Sequence, residues 1–124
     1  MTRDPLELLP LKPFVFDVLI VLVDGEQHGW GLLRRLEARL EAPVLPGQLY
    51  RQLEAMVRER LIEESEAGSG ASSRRDARTG GAEPKRFFRL TPFGRSVVRA
   101  EARRLGGLVD ELRAKRLLPR KGQA

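Results

Sequence analysis

Residues 46–65 read PGQLYRQLEAMVRERLIEES, and this stretch decides the fold. Leu49, Leu53, Met56 and Val57 recur at helical spacing, and Pro46 suits the first helical turn because its φ is already fixed there. The same spacing turns Gln48, Arg51, Gln52, Ala55 and Arg58 outward. At Leu61-Ile62 the helical period stops and a strand is favoured. The stretch therefore predicts an amphipathic helix that runs directly into a strand.

Upstream, Pro13 opens a helix whose apolar face is Val15, Val18, Leu19, Leu22 and Val23, ended by Asp24-Gly25. After a polar turn, Trp30, Leu33, Leu36 and Leu40 form one stripe opposite Arg34, Arg35, Glu37 and Arg39. Ala42-Pro43 breaks that helix. Residues 1–12 carry Pro5 and Pro10 among leucines and read as an irregular arm laid on the domain or on a second subunit.

Downstream, residues 66–84 hold glycine, serine, alanine and three arginines, Arg74, Arg75 and Arg78, but almost no large apolar residue. Such a segment cannot build a core and reads as a flexible tip. Lys85 to Leu90 reads as a strand, with Phe88 and Leu90 on one face and Phe87 and Arg89 on the other. It would pair with Leu61 to Ser65 as an antiparallel hairpin. Thr91-Pro92 then starts a last helix, to about residue 117, by a capping hydroxyl and an N1 proline. Its apolar residues Val98, Ala102, Leu105, Val109 and Leu112 are spaced four, three, four and three, a heptad seam that a partner helix packs against. Residues 118–124 read as a frayed tail.

Composition narrows the function. The 124 residues carry 23 lysines and arginines against 17 acids, a net charge of +6, which points to a polyanionic partner. There is no cysteine and a single histidine, His28, so thiol chemistry and cysteine- or histidine-rich metal centres are excluded. The longest apolar run, Val18 to Val23, is too short to span a membrane, and residues 1–10 do not read as a signal peptide. A cytoplasmic location is the default expectation, with no cofactor and no membrane partner.

Three helices followed by a two-stranded hairpin is the order of a winged helix-turn-helix, mainly α with a β-wing. In that architecture the third helix enters the major groove of double-stranded DNA. Arg51 can bridge guanine O6 and N7, and Gln48 and Gln52 can bridge adenine N6 and N7. Ala55 and Arg58 extend that face, and Tyr50 can donate to a phosphate while its ring packs inward. Arg74, Arg75, Arg78, Lys85 and Arg86 on the wing are candidate phosphate contacts. Residues 13–91 would form this domain, and residues 92–117 a dimerisation helix. Trp30 reads first as a core anchor and second as a contact for an aromatic effector. No histidine–carboxylate pair, phosphate loop or metal spacing supports an enzyme. A winged-helix adaptor with a basic wing for acidic protein partners is the competing reading.

The residues resemble the PadR-like transcriptional regulators. His28-Gly29-Trp30-Gly31-Leu32 is similar to the family's HGY-G-I/L opening of the second helix, and Gly47-Gln48-Leu49-Tyr50 with Leu53 to its G-x-L-Y-P-x-L helix. Arg60-Leu61-Ile62 stands where the family has Gly-Leu-Ile, and Arg86 to Arg95 resembles the family's arginine-led segment ending Y-Y-x-L-T-x-x-G-R. The resemblance implies a homodimer on a palindromic operator, often repressing an adjacent gene, with small flat aromatic effectors near the dimer interface in several members. Arg51 departs by replacing proline, and Phe87 and Phe88 by replacing tyrosines. Arg60 replaces a helix-end glycine, so either a left-handed residue there is strained by about 1 kcal/mol or the turn differs. The wing is longer than usual, and the chain ends after one helix, as in the short subfamily.

Overall fold

The computed structural model describes residues 3–65, 86–120 and 122. After a 3-10 turn at Pro5–Leu8 come α1 (Pro13–Val23), β1 (Gln27–His28), α2 (Gly29–Leu40), α3 (Pro46–Arg58), β2 (Ile62–Ser65), β3 (Phe87–Leu90) and α4 (Pro92–Ala114). The fold is a winged helix, mostly helical with a small antiparallel sheet. That sheet has three strands in the order β1-β3-β2, so the expected hairpin gains a third member. Gln27 and His28 pair with Phe88 and Phe87, and a two-residue strand is too short to show any alternation in sequence.

The core is built where α1, α2, α3 and the sheet converge. Val18, Leu19 and Leu22 of α1 meet Leu32 and Leu36 of α2, Leu49, Leu53 and Met56 of α3, and Ile62, Phe88 and Val97. Four expectations change here. Val21 is buried in place of Val23, which overhangs the core at the end of α1. Phe87, expected on the outer face with Arg89, is buried because β1 covers it, the His28 ring standing edge-on at 5.8 Å. Trp30 and Leu40 are exposed, since the first and last turns of α2 reach beyond the core. Finally, α4 ends at Ala114, short of the expected 117, where Arg116 turns left-handed (φ 63°) and Arg113 Nε donates to the Pro119 carbonyl at 3.1 Å.

The junction between α3 and β2 is closed by a Schellman turn. The Leu61 N–H donates to the Met56 carbonyl and the Arg60 N–H to that of Val57, each at 3.0 Å. Arg60 occupies the left-handed position of that turn (φ 63°), the strained alternative of the two foreseen. Thr91 then ties α4 to the same corner, donating from Oγ1 to the Arg60 carbonyl at 2.6 Å and capping the Gly94 N–H at 2.8 Å. Gly94 passes so close that a Cβ there would lie 2.0 Å from the Leu61 carbonyl oxygen.

The arm is a strap. Leu8, Leu9 and Leu11 pack on the core, while Leu6 stays exposed. The Leu11 N–H donates to Glu101 Oε2 at 2.8 Å. Glu101, only 2% exposed, also receives Arg104 Nε at 2.5 Å on its other oxygen. These bonds hold the Glu101 carboxyl below its usual range against the opposing effect of burial, with Arg104 the larger cause. At the far end of the arm, Arg3 bonds the Glu59 carboxylate and carbonyl at the end of α3, with its guanidinium over Phe93.

Candidate nucleic-acid interface

Helix α3 turns Leu49, Leu53 and Met56 inward, and the face opposite carries Gln48, Arg51 and Arg58, all exposed. Gln52 and Ala55, expected on that face, are half-buried on the flank nearest the arm. There they line a groove of about 320 Å³ with Leu8, Leu11, Val15 and Met56. Glu54 was missed by the outward set, although its spacing from Arg51 and Arg58 places it between them on one face. A carboxylate there can accept from cytosine N4.

Tyr50 is half-buried between helix and sheet. Its ring lies 6.4 Å from that of Phe88, and its hydroxyl abuts Gly29, where any Cβ would lie 1.9 Å from the oxygen. Only glycine admits the tyrosine at this crossing of α2 and α3. The His28 side chain caps α2, Nδ1 accepting from the Gly31 N–H at 3.2 Å.

The wing base is held by paired charges. Arg86 donates to both oxygens of Glu64, Nε at 2.6 Å and a second nitrogen at 3.0 Å. Its guanidinium also lies 5.2 Å from the centre of the Tyr50 ring and 5.4 Å from that of Phe88. The hydrogen bonds from Arg86 hold Glu64 below its usual range and raise Arg86 in turn. Glu63 and Arg89, directly opposite in the register, pair at 2.8 Å. Arg86 is thus engaged within the domain in this structure. By contrast Arg34, Arg35, Arg51 and Arg58 form no ion pair among the described residues. Arg74, Arg75, Arg78 and Lys85 lie outside the described residues.

The seam of α4 divides at Glu101. Val98 packs on the domain's own core, whereas Ala102 and Leu112 are exposed and Leu105 and Val109 half-exposed. Leu108, 42% exposed, widens that stripe and was absent from the heptad reading. No helix among the described residues is long and apolar enough to cross a membrane.

The model of the transcriptional regulator PadR-like family matches residues 18–100. No curated protein matches the sequence. Among solved structures, a PadR-like transcriptional regulator from Bacillus cereus is similar at 18% identity and a TM-score of 0.63, over 86% of this chain and 93% of that one. RosR of H. salinarum is similar at 23% identity and a TM-score of 0.58, over 87% and 98%. Bacillus subtilis PadR, solved in complex with operator DNA, is similar at 18% identity and a TM-score of 0.56, over 79% of this chain but 48% of that one. The match over residues 18–100, seated on a winged-helix fold with these helices in this order, makes the chain a member of the PadR-like family of transcriptional regulators, proteins that control genes and are not enzymes.

Proposed function

We propose that this protein is a repressor that binds a palindromic DNA operator as a homodimer, with α3 in the major groove. The observation that carries the reading is the outer face of α3, where Gln48, Arg51 and Arg58 are exposed and both arginines are free of ion pairs among the described residues. Arginine and glutamine near the N-terminal half of such a helix are the side chains suited to guanine and adenine edges. Arg86 serves the wing base, and the wing cations Arg74, Arg75, Arg78 and Lys85 are proposed phosphate contacts. The apolar stripe of α4 beyond Glu101, Leu105, Leu108, Val109 and Leu112, is the proposed dimer seam. Two copies joined there would present two α3 helices to half-sites about one DNA turn apart, roughly 34 Å.

Selection of bound duplexes from a random pool tests this. The expected result is a two-fold symmetric site whose affinity falls steeply with salt. Arg51→Ala should relax preference at one base pair of each half-site, a loss of about 1–3 kcal/mol there. An equal loss on every sequence would restrict Arg51 to the backbone, and recovery of no site would reject the proposal.

A further inference from the structure

We infer that Trp30 is a DNA-backbone contact, its indole N–H donating to a phosphate beside the groove that α3 enters. The inference rests on the DNA-binding reading above and adds a residue outside the recognition helix.

Trp30 is the sole tryptophan, and 55% of it is exposed. It stands in the first turn of α2, and with Leu33 it borders a narrow gap shared with Pro46, Leu49 and Tyr50, the first turns of α3. Trp30 thus borders the start of α3 while more than half of it faces solvent. Leu45, 69% exposed, stands immediately before Pro46 at the start of α3. Tryptophan suits a position with one wet and one apolar end, where its N–H, a donor only, finds an acceptor.

Charge selects the occupant. Arg34 lies one helical turn beyond Trp30 on the same face of α2, and Arg51 stands on the outer face of α3, the helix whose start borders Trp30. Both are exposed and neither has an ion pair among the described residues. An apolar donor with an uncompensated cation one turn away fits a polyanion whose oxygens accept and whose sugars offer apolar surface. In a helix-turn-helix the helix before the recognition helix crosses the backbone, where Trp30 stands.

Because the tryptophan is unique, its fluorescence reports the site directly. The wild-type protein is titrated with a short duplex of arbitrary sequence at low salt, binding being followed separately by anisotropy of a labelled duplex. Acrylamide quenching of Trp30 should fall by at least half on saturation. Trp30→Ala should weaken binding about five- to tenfold and Trp30→Phe less, each alike on all sequences and with the salt slope unchanged, since a neutral donor releases no counterion. Arg34→Ala should instead lower that slope by about one. Unchanged quenching on bound DNA would overturn the inference and leave DNA binding intact. So would a tryptophan already shielded without DNA, which would place it between two copies of the chain, or one shielded only by a flat aromatic compound. Absence of any duplex binding would overturn the DNA-binding reading itself.

Discussion

Replacing Arg60 with glycine should leave the protein more stable than replacing it with alanine, because only glycine relieves the backbone there. Arg60 holds a left-handed backbone (φ 63°) inside the Schellman turn between α3 and β2. An L-residue there costs roughly 1–2 kcal/mol that glycine avoids. Glycine gives back about 0.5–1 kcal/mol through its freedom in the unfolded chain. The gain of glycine over alanine is thus on the order of 0.5–1 kcal/mol, or about 2–4 °C in Tm for a domain of this size. Arg60 is exposed and without an ion pair among the described residues, so little contact is lost. Its charge does sit near a helix C-terminus, where a cation contributes roughly 0.3–1 kcal/mol. The decisive comparison is therefore Arg60→Gly against Arg60→Ala, which share the charge loss and differ only in the Cβ. Urea and thermal unfolding followed by circular dichroism, at one protein concentration, measure it. The reasoning fails if the glycine variant is no more stable than the alanine variant.

Two further substitutions probe the packing around α4, with a third on α3 as control. Gly94→Ala drives a Cβ to 2.0 Å from the Leu61 carbonyl and should destabilise by about 2–3 kcal/mol, whereas Gly47→Ala, with no atom within 4 Å of its Cβ, should be neutral or stabilising in the same assay. Glu101→Gln keeps an acceptor for the Leu11 N–H but loses the charge facing Arg104, and should cost about 2 kcal/mol at neutral pH. The folded-state carboxyl of Glu101 is depressed, so its contribution is complete above the unfolded value of about 4.3 and is lost as pH falls through the folded one. Wild-type stability should accordingly fall on acidification more steeply than that of the glutamine variant, with exchange of the Leu11 amide accelerating in parallel; superimposable pH profiles would count against the link.

The helices and the wing base were legible because their signals are local. Pro13, Pro46 and the Thr91-Pro92 pair mark helix starts through backbone geometry alone, and the apolar spacing of α3 names its buried face. What escaped depends on neighbours. Helical spacing placed Trp30 in line with Leu33 and Leu36, but the end of a stripe is buried only if another element covers it, and the start of α3 borders Trp30 without covering it. Gln52 and Ala55 sit where a solvated face was expected, because the arm, whose path no periodicity reveals, shelters that flank. Phe87 is buried by β1, a strand too short to announce itself. Glu101 carries no sequence signal beyond an arginine three residues on, yet it joins arm to helix. The ion pair of Arg86 with Glu64 was equally illegible, because the register brings the two within reach only once the sheet forms.

The strap between Leu11 and Glu101 has a mechanical consequence. It grips α4 partway along, and the thirteen residues from Ala102 to Ala114 project onward as a lever of about 20 Å. In the proposed dimer that lever fixes how far apart the two α3 helices stand. A change of about 10° at the grip would displace its far end by about 3.5 Å, the rise of a single base-pair step. In that proposed dimer one buried carboxylate would act as the fulcrum for half-site spacing, and the length of the operator would depend on the arm as much as on the seam.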